Sequence, residues 1–504
     1  MKSFSTKHTL RFAVALAMLL VLLVACGNDA TDTADEAGNF QGTITFWAYH
    51  YTPEEPSAAN PNPPTVFWDV AAEWEALNPG VTIEFLTDLD TPEYLTWLAT
   101  RMAGGDAPDI FWIHANHIIT AAVPSGSAVV LNPFMERPNH YVEGNERWRD
   151  LFPDSVIRPK TDVNGDFYTV TGDYVGTAVF YNRELFAQAG VHSPTGFVTW
   201  SEYNEINRQL SEAGITPWGF SFGNDEEVFV GWFTRLFNTN FYFDDFYSLA
   251  ILGEEGVRHI NRAESLLGFV NGDFGVDNPQ WIAWWELMKY QVDNFMPDGV
   301  VSAASTSDTI LSQFLNQEIA MMWSGSWQPN TFRDANISFD YGSFPFPYPD
   351  PASSPFATAY NSSAAVGGPN AAFQYAVSTQ RANSSMTDEK LESVIDWLMF
   401  ISTPENNSRI VNELGIFIPT MVGAVPLEAN AGLIQLLELD SYVLGEDFHM
   451  ISPAFTSLYF RTFQMFLRGD MTLDEARESM RQMQMDELEL AIAELDFDIT
   501  AYIR

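Results

Sequence analysis

The chain has 504 residues, 46% of them hydrophobic, with 15 Trp, 18 Tyr and 39 Phe. This composition excludes a disordered chain, and the length exceeds what one ordinary core can fill, so two domains are expected. Sixty-six acidic residues against 24 basic ones give a formal charge of −42; that excludes nucleic acid, whose binding rests on Lys and Arg neutralising phosphates, and disfavours a strongly anionic small ligand. The acidity itself reads as a solvated, soluble surface.

The chain opens with Lys2, Lys7 and Arg11, and residues 12–25 then carry no polar side chain. A membrane-spanning helix needs about 20 apolar residues. The shorter run behind a basic start fits the apolar core of a secretory signal. Leu23-Val24-Ala25-Cys26 resembles a bacterial lipobox, and Cys26 is the only cysteine in the chain. The resemblance implies that residues 1–25 are a lipoprotein signal peptide and that Cys26 becomes a lipidated first residue. An ordinary signal peptide with a chance cysteine is the alternative. A diacylglycerol plus an N-terminal acyl group gives stable anchoring, whereas one chain is marginal. Loss of three positive charges with the signal takes the mature chain near −45. Residues 26–42 are small and acidic, too poor in apolar surface to fold, and read as a flexible tether. With no other cysteine, the folded part has no disulfide and no thiolate metal site.

"GTITFWAYHY" (42–51) alternates as a strand, and five prolines between 53 and 64 mark a loop. "TVFWDVAAEWEALNPG" (65–80) places Phe67, Val70, Ala71, Trp74 and Leu77 at helical spacing and stops at Asn78-Pro79-Gly80. "VTIEFL" (81–86) alternates again, "PEYLTWLATRMAGG" (92–105) repeats the helix signal, and "PDIFWI" (108–113) is a short buried strand. Strand, helix, strand, helix, strand predicts parallel pairing with crossover helices. Ligands of such sheets sit beyond the carboxyl ends of the strands, here 47–51 and 112–117. "TLDEA" (472–476) predicts a capping box between Thr472 and Glu475.

These segments, with "NGDFYTVTGDYVGTAVFYNRELFAQAGV" (164–191), "TWSEYNEINRQLSEAGITPWGF" (199–220), "FLNQEIAMMWSGSW" (314–327), "DWLMFISTPENNSRI" (396–410) and "MTLDEARESM" (471–480), resemble the extracellular solute-binding proteins of family 1, the maltose or sugar type that feeds ABC importers. The pieces follow the family's order over most of residues 42–480. Asn316-Gln317 departs from it, standing where the family has Gly. The resemblance implies an α/β fold of two lobes, the periplasmic-binding-protein-like type II fold, with a ligand cleft between lobes joined by crossing strands. The implied lobes are 43–174 with 345–410, and 175–344 with 411–504. Crossings are expected near 173–177, 341–345 and 415–419. Closure would be a hinge motion biased by a ligand that touches both lobes only when they are shut. The implied role is capture of a sugar or oligosaccharide and delivery to an importer permease, by a monomer on the extracytoplasmic face of a bacterial membrane, with no enzymatic activity, cofactor or metal.

A sugar site needs flat aromatics for ring faces and polar side chains for hydroxyls. Trp47, Tyr49 and His50 follow the first strand; Trp112, His114 and Asn116 follow the third, with Trp112 and His114 on one face by alternation. For Trp47 core packing is an equal reading, and for His114 a satisfied loop residue. From the resemblance, Asp173 and Tyr174 precede a crossing strand at a position that supplies a carboxylate to sugar hydroxyls; a turn Asp after Gly172 is the alternative. Trp327 corresponds to the family's cleft tryptophan. Tyr360 and Asn361, before Gly367-Gly368, are further candidates; Asn224 and Glu227 are weaker. Trp323 reads as core, and Trp281, Trp284 and Trp285 as helix packing.

A lipid-anchored glycoside hydrolase is the rival reading and would need two flanking carboxylates. The motif order lacks the eightfold repeat of a hydrolase barrel, and neither Gly-x-Ser-x-Gly nor His-Glu-x-x-His occurs. "TDVNGDF" (161–167) fails the twelve-residue calcium spacing, and Asn164-Gly165 reads as a hairpin turn. The same fold could hold a polyamine, which suits the acidity, or a metal complex or phosphorylated polyol. It could also serve sensing or adhesion rather than transport.

Overall fold

The structure is a computed structural model that describes residues 40–57, 63–87, 94–114, 118, 122, 125–157, 165–194, 196–242, 262–357, 371–428, 433, 451–495 and 498–504. Cys26 and the signal run, Asn116, Asn164, Tyr360 and Asn361 lie outside these residues, as do the Glu227 side chain and most of the tether.

The first lobe grows from the alternating and helical patterns at the start of the chain. Strand β1 (Gly42–Trp47) buries Ile44 and Phe46, and helix α1 (Val66–Leu77) buries Phe67, Val70, Ala71 and Trp74 along one face. Strand β2 (Val81–Phe85) pairs in parallel with β1, helix α2 (Tyr94–Gly104) follows, and strand β3 (Ile110–Trp112) pairs in parallel on the other side of β1. Two later segments complete the sheet: β4 (Val170–Thr171) forms its edge, and a strand at Gln374–Val377 lies between it and β3, antiparallel to both.

After the short strand β5 (Asp173–Tyr174) the chain builds the second lobe. Its sheet contains β6 (Thr177–Asn182), β7 (Thr216–Gly219), β8 (Ile319–Gly325) and β9 (Tyr341–Phe344), in the order β7-β8-β6-β9. β7 runs parallel to β8, and β6 antiparallel to both of its neighbours. Helix α3 (Trp200–Glu212) starts at a capping box between Thr199 and Glu202. Helix α4 (Glu227–Tyr242) follows the end of β7 and helix α5 (Pro279–Phe295) buries Trp281, Trp284 and Trp285. Helix α6 (Ser307–Leu315) leads into β8 through Gln317, whose φ is +60°, so the glycine-favouring turn survives with a glutamine in it. Helix α7 (Gln328–Asp334) follows β8.

Strand β10 is the Gln374–Val377 strand of the first sheet, and helices α8 (Asp388–Ile401) and α9 (Pro404–Leu414) pack on α1 behind it. Strand β11 (Ile418–Pro419) pairs antiparallel with β5. Helices α10 (Pro453–Arg468) and α11 (Leu473–Ala493) close the second lobe, and α11 begins at the Thr472–Glu475 capping box. Residues 44–175 and 371–421 supply the first hydrophobic core, Val411, Phe417 and Met421 among them; residues 174–346, with Ile418, Leu433 and residues 451–491, supply the second. The chain therefore changes lobe at the paired strands β5 and β11, and once more between residues 346 and 371. No helix among the described residues is long and apolar enough to cross a membrane.

One buried ion pair locks the first sheet. The Asp109 carboxylate, fully buried, lies 2.7 Å from the Lys390 ammonium of α8. It also accepts from the Thr45 amide and hydroxyl and from Asn383 Nδ2. Removing one partner of such a pair strands the other charge and costs about 3–5 kcal/mol. Lys390→Met is expected to lower the unfolding free energy of the first lobe by that order, measured by urea denaturation.

Candidate ligand cleft

The carboxyl ends of β1 and β3 present an aromatic group. A 3-10 turn at Tyr49–Tyr51 follows β1. The Tyr49 ring lies on Trp112 with centroids 3.9 Å apart and planes 16° apart, and 4.0 Å from His50 on its own turn. Trp47 and Tyr94 meet Trp112 at steep angles, at 6.0 and 5.0 Å, and Trp112 Nε1 donates to the Ala371 carbonyl at 3.1 Å. Trp112 is thus held on its edges while Tyr49 lies flat on it. Tyr49 has φ +57°, a left-handed backbone that a bulky residue rarely adopts. Burial raises the Tyr49 phenol pKa and lowers the His50 imidazole pKa, so at neutral pH both are uncharged.

The second lobe presents the other group, at the carboxyl ends of β7 and β8. Trp327, half-buried at the start of α7, meets Trp232 and Phe229 from the first turns of α4, each at 6.1 Å. Trp327 and Trp232 also pack against the first core. The Trp327 ring lies over Gly325: a Cβ there would stand 2.0 Å from Cζ3 of the indole. Phe229 and Trp232 were not legible as site residues, although aromatics opening a helix directly after a strand's carboxyl end are a usable signal.

Both groups hang on the same crossing strand. Tyr51 Oη, two residues beyond Tyr49, donates to Asp173 Oδ2 at 2.8 Å, and the Ala372 amide donates to the same oxygen at 3.0 Å. Three residues on, the Gly176 carbonyl accepts from the Ser326 amide at 2.8 Å, next to Trp327. Ser326 Oγ also donates to the Ile416 carbonyl at 2.6 Å, on the segment leading into β11. Burial, with the Asp173 charge beside it, raises the Tyr51 pKa well above its ordinary value.

Of the residues expected from sequence, the structure brings Trp47, Tyr49, His50 and Trp112 together, with half-buried His114 beyond β3, and sets Trp327 at the start of α7 in the second lobe's stretch of chain, packed against the first core. Trp47 is core, 2% exposed. Asp173 and Tyr174 are buried within the crossing, where Asp173 ties chain to chain. Trp323 and the three tryptophans of α5 are core. Asn224 is exposed in the loop after β7, its amide bonded to the Ala303 carbonyl.

Two α/β lobes joined by paired crossing strands, each offering aromatic faces at strand ends beside the crossing, define a two-lobe binding protein. Residues 69–430 match the family model of the bacterial extracellular solute-binding proteins, and the chain belongs to that family. A curated relative from Brucella abortus (strain 2308), named only as a binding protein, is 22% identical over 283 residues, 55% of this chain and 58% of the relative. The chain thus matches little more than half the length of that relative. Solved structures share the fold across nearly the whole chain. A family 1 extracellular solute-binding protein from Bifidobacterium longum subsp. infantis is 18% identical, with TM-score 0.62, over 90% of this chain and 100% of that one. A chitin oligosaccharide binding protein is 19% identical, TM-score 0.58, over 89% and 99%. A raffinose complex of the binding protein RafE is 15% identical, TM-score 0.57, over 88% and 99%.

Because a Cβ at Gly325 must push the Trp327 ring aside, Gly325→Ala is expected to weaken ligand binding about tenfold or more. Because Trp327 also packs against the first core, the same shift should lower the urea midpoint of the first lobe. Paired titration and denaturation check both; unaltered binding contradicts the placement.

Proposed function

We propose that this protein captures a sugar or oligosaccharide between its two lobes and delivers it, unaltered, to the transmembrane permease of an ABC importer. The observation that carries this reading is the pair of aromatic groups, Tyr49 with Trp112 on one lobe and Trp327 with Trp232 and Phe229 on the other, both anchored to the 173–176 crossing. A pyranose has two weakly polar faces, and aromatic faces from opposite sides suit it. Sugar ligands named for the structural neighbours, chitin oligosaccharide and raffinose, support the same class. Trp112 and Trp327 are the aromatic contacts of this reading, with Tyr49 lying on Trp112, and His50 and His114, with Asn116, Tyr360 and Asn361, are its hydrogen-bonding candidates.

Binding only when both lobes meet around the sugar gives the closed state its bias, and a permease distinguishes loaded from empty by that shape. Lipid on Cys26, with the acidic tether, would hold the lobes near the membrane on the extracytoplasmic face. The protein acts as a monomer, and the bound sugar leaves without chemical change, so the role is not enzymatic.

Thermal-shift titration against raffinose, chitotriose and maltotriose, with spermidine as control, tests the reading, since a ligand specific to the folded state raises Tm by mass action. At least one saccharide is expected to raise Tm and to be recovered intact. Trp327→Ala should weaken it about tenfold or more, the loss of one stacked aromatic. Cleaved sugar would instead indicate a hydrolase, and a shift with spermidine alone a polyamine-binding protein.

A further inference from the structure

The first-lobe aromatic group has an arrangement that a plain stacking platform does not need. The flat contact on Trp112 is already made, by Tyr49 at 3.9 Å and 16°. That separation and tilt are those a sugar ring would take on an indole. Trp112 itself is fixed: its Nε1 donates to the Ala371 carbonyl, and Trp47 and Tyr94 pack against it at 84° and 61°. Tyr94 is held in turn by the His114 backbone. Tyr49 is held differently. It stands on a one-turn 3-10 element whose N-terminal residue, Ala48, makes no side-chain cap, and its φ of +57° is a conformation tyrosine adopts only under strain. The turn is pinned on both sides of Tyr49, by Tyr375 Oη donating to the Ala48 carbonyl at 3.2 Å and by Tyr51 Oη donating to Asp173, so the Tyr49 side chain can swing while the turn stays in place. Tyr49 is half-buried while Trp112 is 6% exposed, so the tyrosine is the outer layer of the stack.

We propose that Tyr49 is a displaceable cap rather than a ligand contact: it occupies the sugar-binding face of Trp112 in the empty protein and gives way to a pyranose ring. This rests on the saccharide reading above. Displacement by rotation of the Tyr49 side chain forfeits one ring-on-ring contact and regains another with the sugar, so the exchange is nearly balanced. The cap thereby sets affinity and specificity. A pyranose repays the lost stack because its apolar face replaces the phenol; a flexible aliphatic cation has no flat face with which to do so. Between ligands it also keeps the indole covered.

The cap and an ordinary contact predict opposite signs on removing the ring. Isothermal titration of raffinose, chitotriose and maltotriose into wild type, Tyr49→Phe, Tyr49→Ala, Tyr49→Gly and Trp112→Ala decides between them. Tyr49→Phe keeps the ring and therefore the cap, and separates the part played by the ring from that of the phenol. Tyr49→Ala and Tyr49→Gly uncover Trp112 and are expected to bind about five- to tenfold more tightly, a change of about 1.0–1.4 kcal/mol; Trp112→Ala is expected to bind at least tenfold more weakly. Tyr49→Gly also suits the left-handed backbone, so a folding defect of Tyr49→Ala leaves the test intact. Saccharide binding by wild type that is unchanged or weaker in both ring-removing variants overturns the cap and leaves the saccharide reading standing. No saccharide bound by wild type or by either ring-removing variant overturns the saccharide reading and the cap with it.

Discussion

The interaction on which the rest of this structure depends is the buried carboxylate of Asp173. It has no exposed surface, and one oxygen accepts from Tyr51 Oη and from the Ala372 amide while its backbone pairs with Pro419. Four remote stretches of chain, those around 51, 173, 372 and 419, are thereby tied at the point where the chain changes lobe. The neighbouring residue adds a second tie: the Gly172 carbonyl accepts from Asn407 Nδ2 at 2.7 Å and from the Thr420 amide, and its amide donates to the Phe373 carbonyl. A Cβ at Gly172 would fall 2.6 Å from Asn407 Nδ2 and 2.7 Å from the Phe373 ring. Buried backbone groups and a buried charge must be satisfied together, and here that requirement fixes the crossing.

From this knot the functional geometry follows. Tyr51 carries the turn that bears Tyr49 and His50, and Gly176, three residues past Asp173, holds the Ser326 amide beside Trp327. The two aromatic groups are thus referenced to one short segment, with Trp327 and Trp232 also packed against the first core. The lobes are joined there by two-residue strands rather than by a broad shared sheet, which suits hinge motion. Each core is itself rigidly packed, the first by the Asp109–Lys390 pair and the second by Trp200, Trp218, Trp284 and Trp285, all fully buried. Stiff lobes on a narrow join allow a ligand contact at the cleft to be read as a change of whole-molecule shape.

The parts legible in the sequence are those set by local pattern. Residues 42–112 alternate or repeat at helical spacing and are punctuated by Asn78-Pro79-Gly80 and Gly104-Gly105, so the opening β-α-β-α-β unit could be read directly. The aromatic character of the strand ends was legible too, as was the Thr472 capping box. What could not be read was set by contacts between distant residues. The sequence offers Asp173 as a carboxylate for sugar hydroxyls, but its partners Tyr51 and Ala372 stand 122 and 199 residues away. Nothing in the string "WAYHY" announces that Tyr49 takes a positive φ and lies on Trp112, and nothing near Phe229 or Trp232 announces Trp327. Gln317 shows the converse: it stands where the resemblance expects glycine, yet takes the φ of +60° that glycine favours.

The most direct measurement is small-angle X-ray scattering of the protein alone and with a saturating saccharide that calorimetry has shown to bind. Capture between two lobes predicts a smaller radius of gyration in the complex and a narrower pair-distance distribution, with the mass of a monomer throughout. Demonstrated binding with an unchanged radius of gyration would contradict a cleft that closes on its sugar.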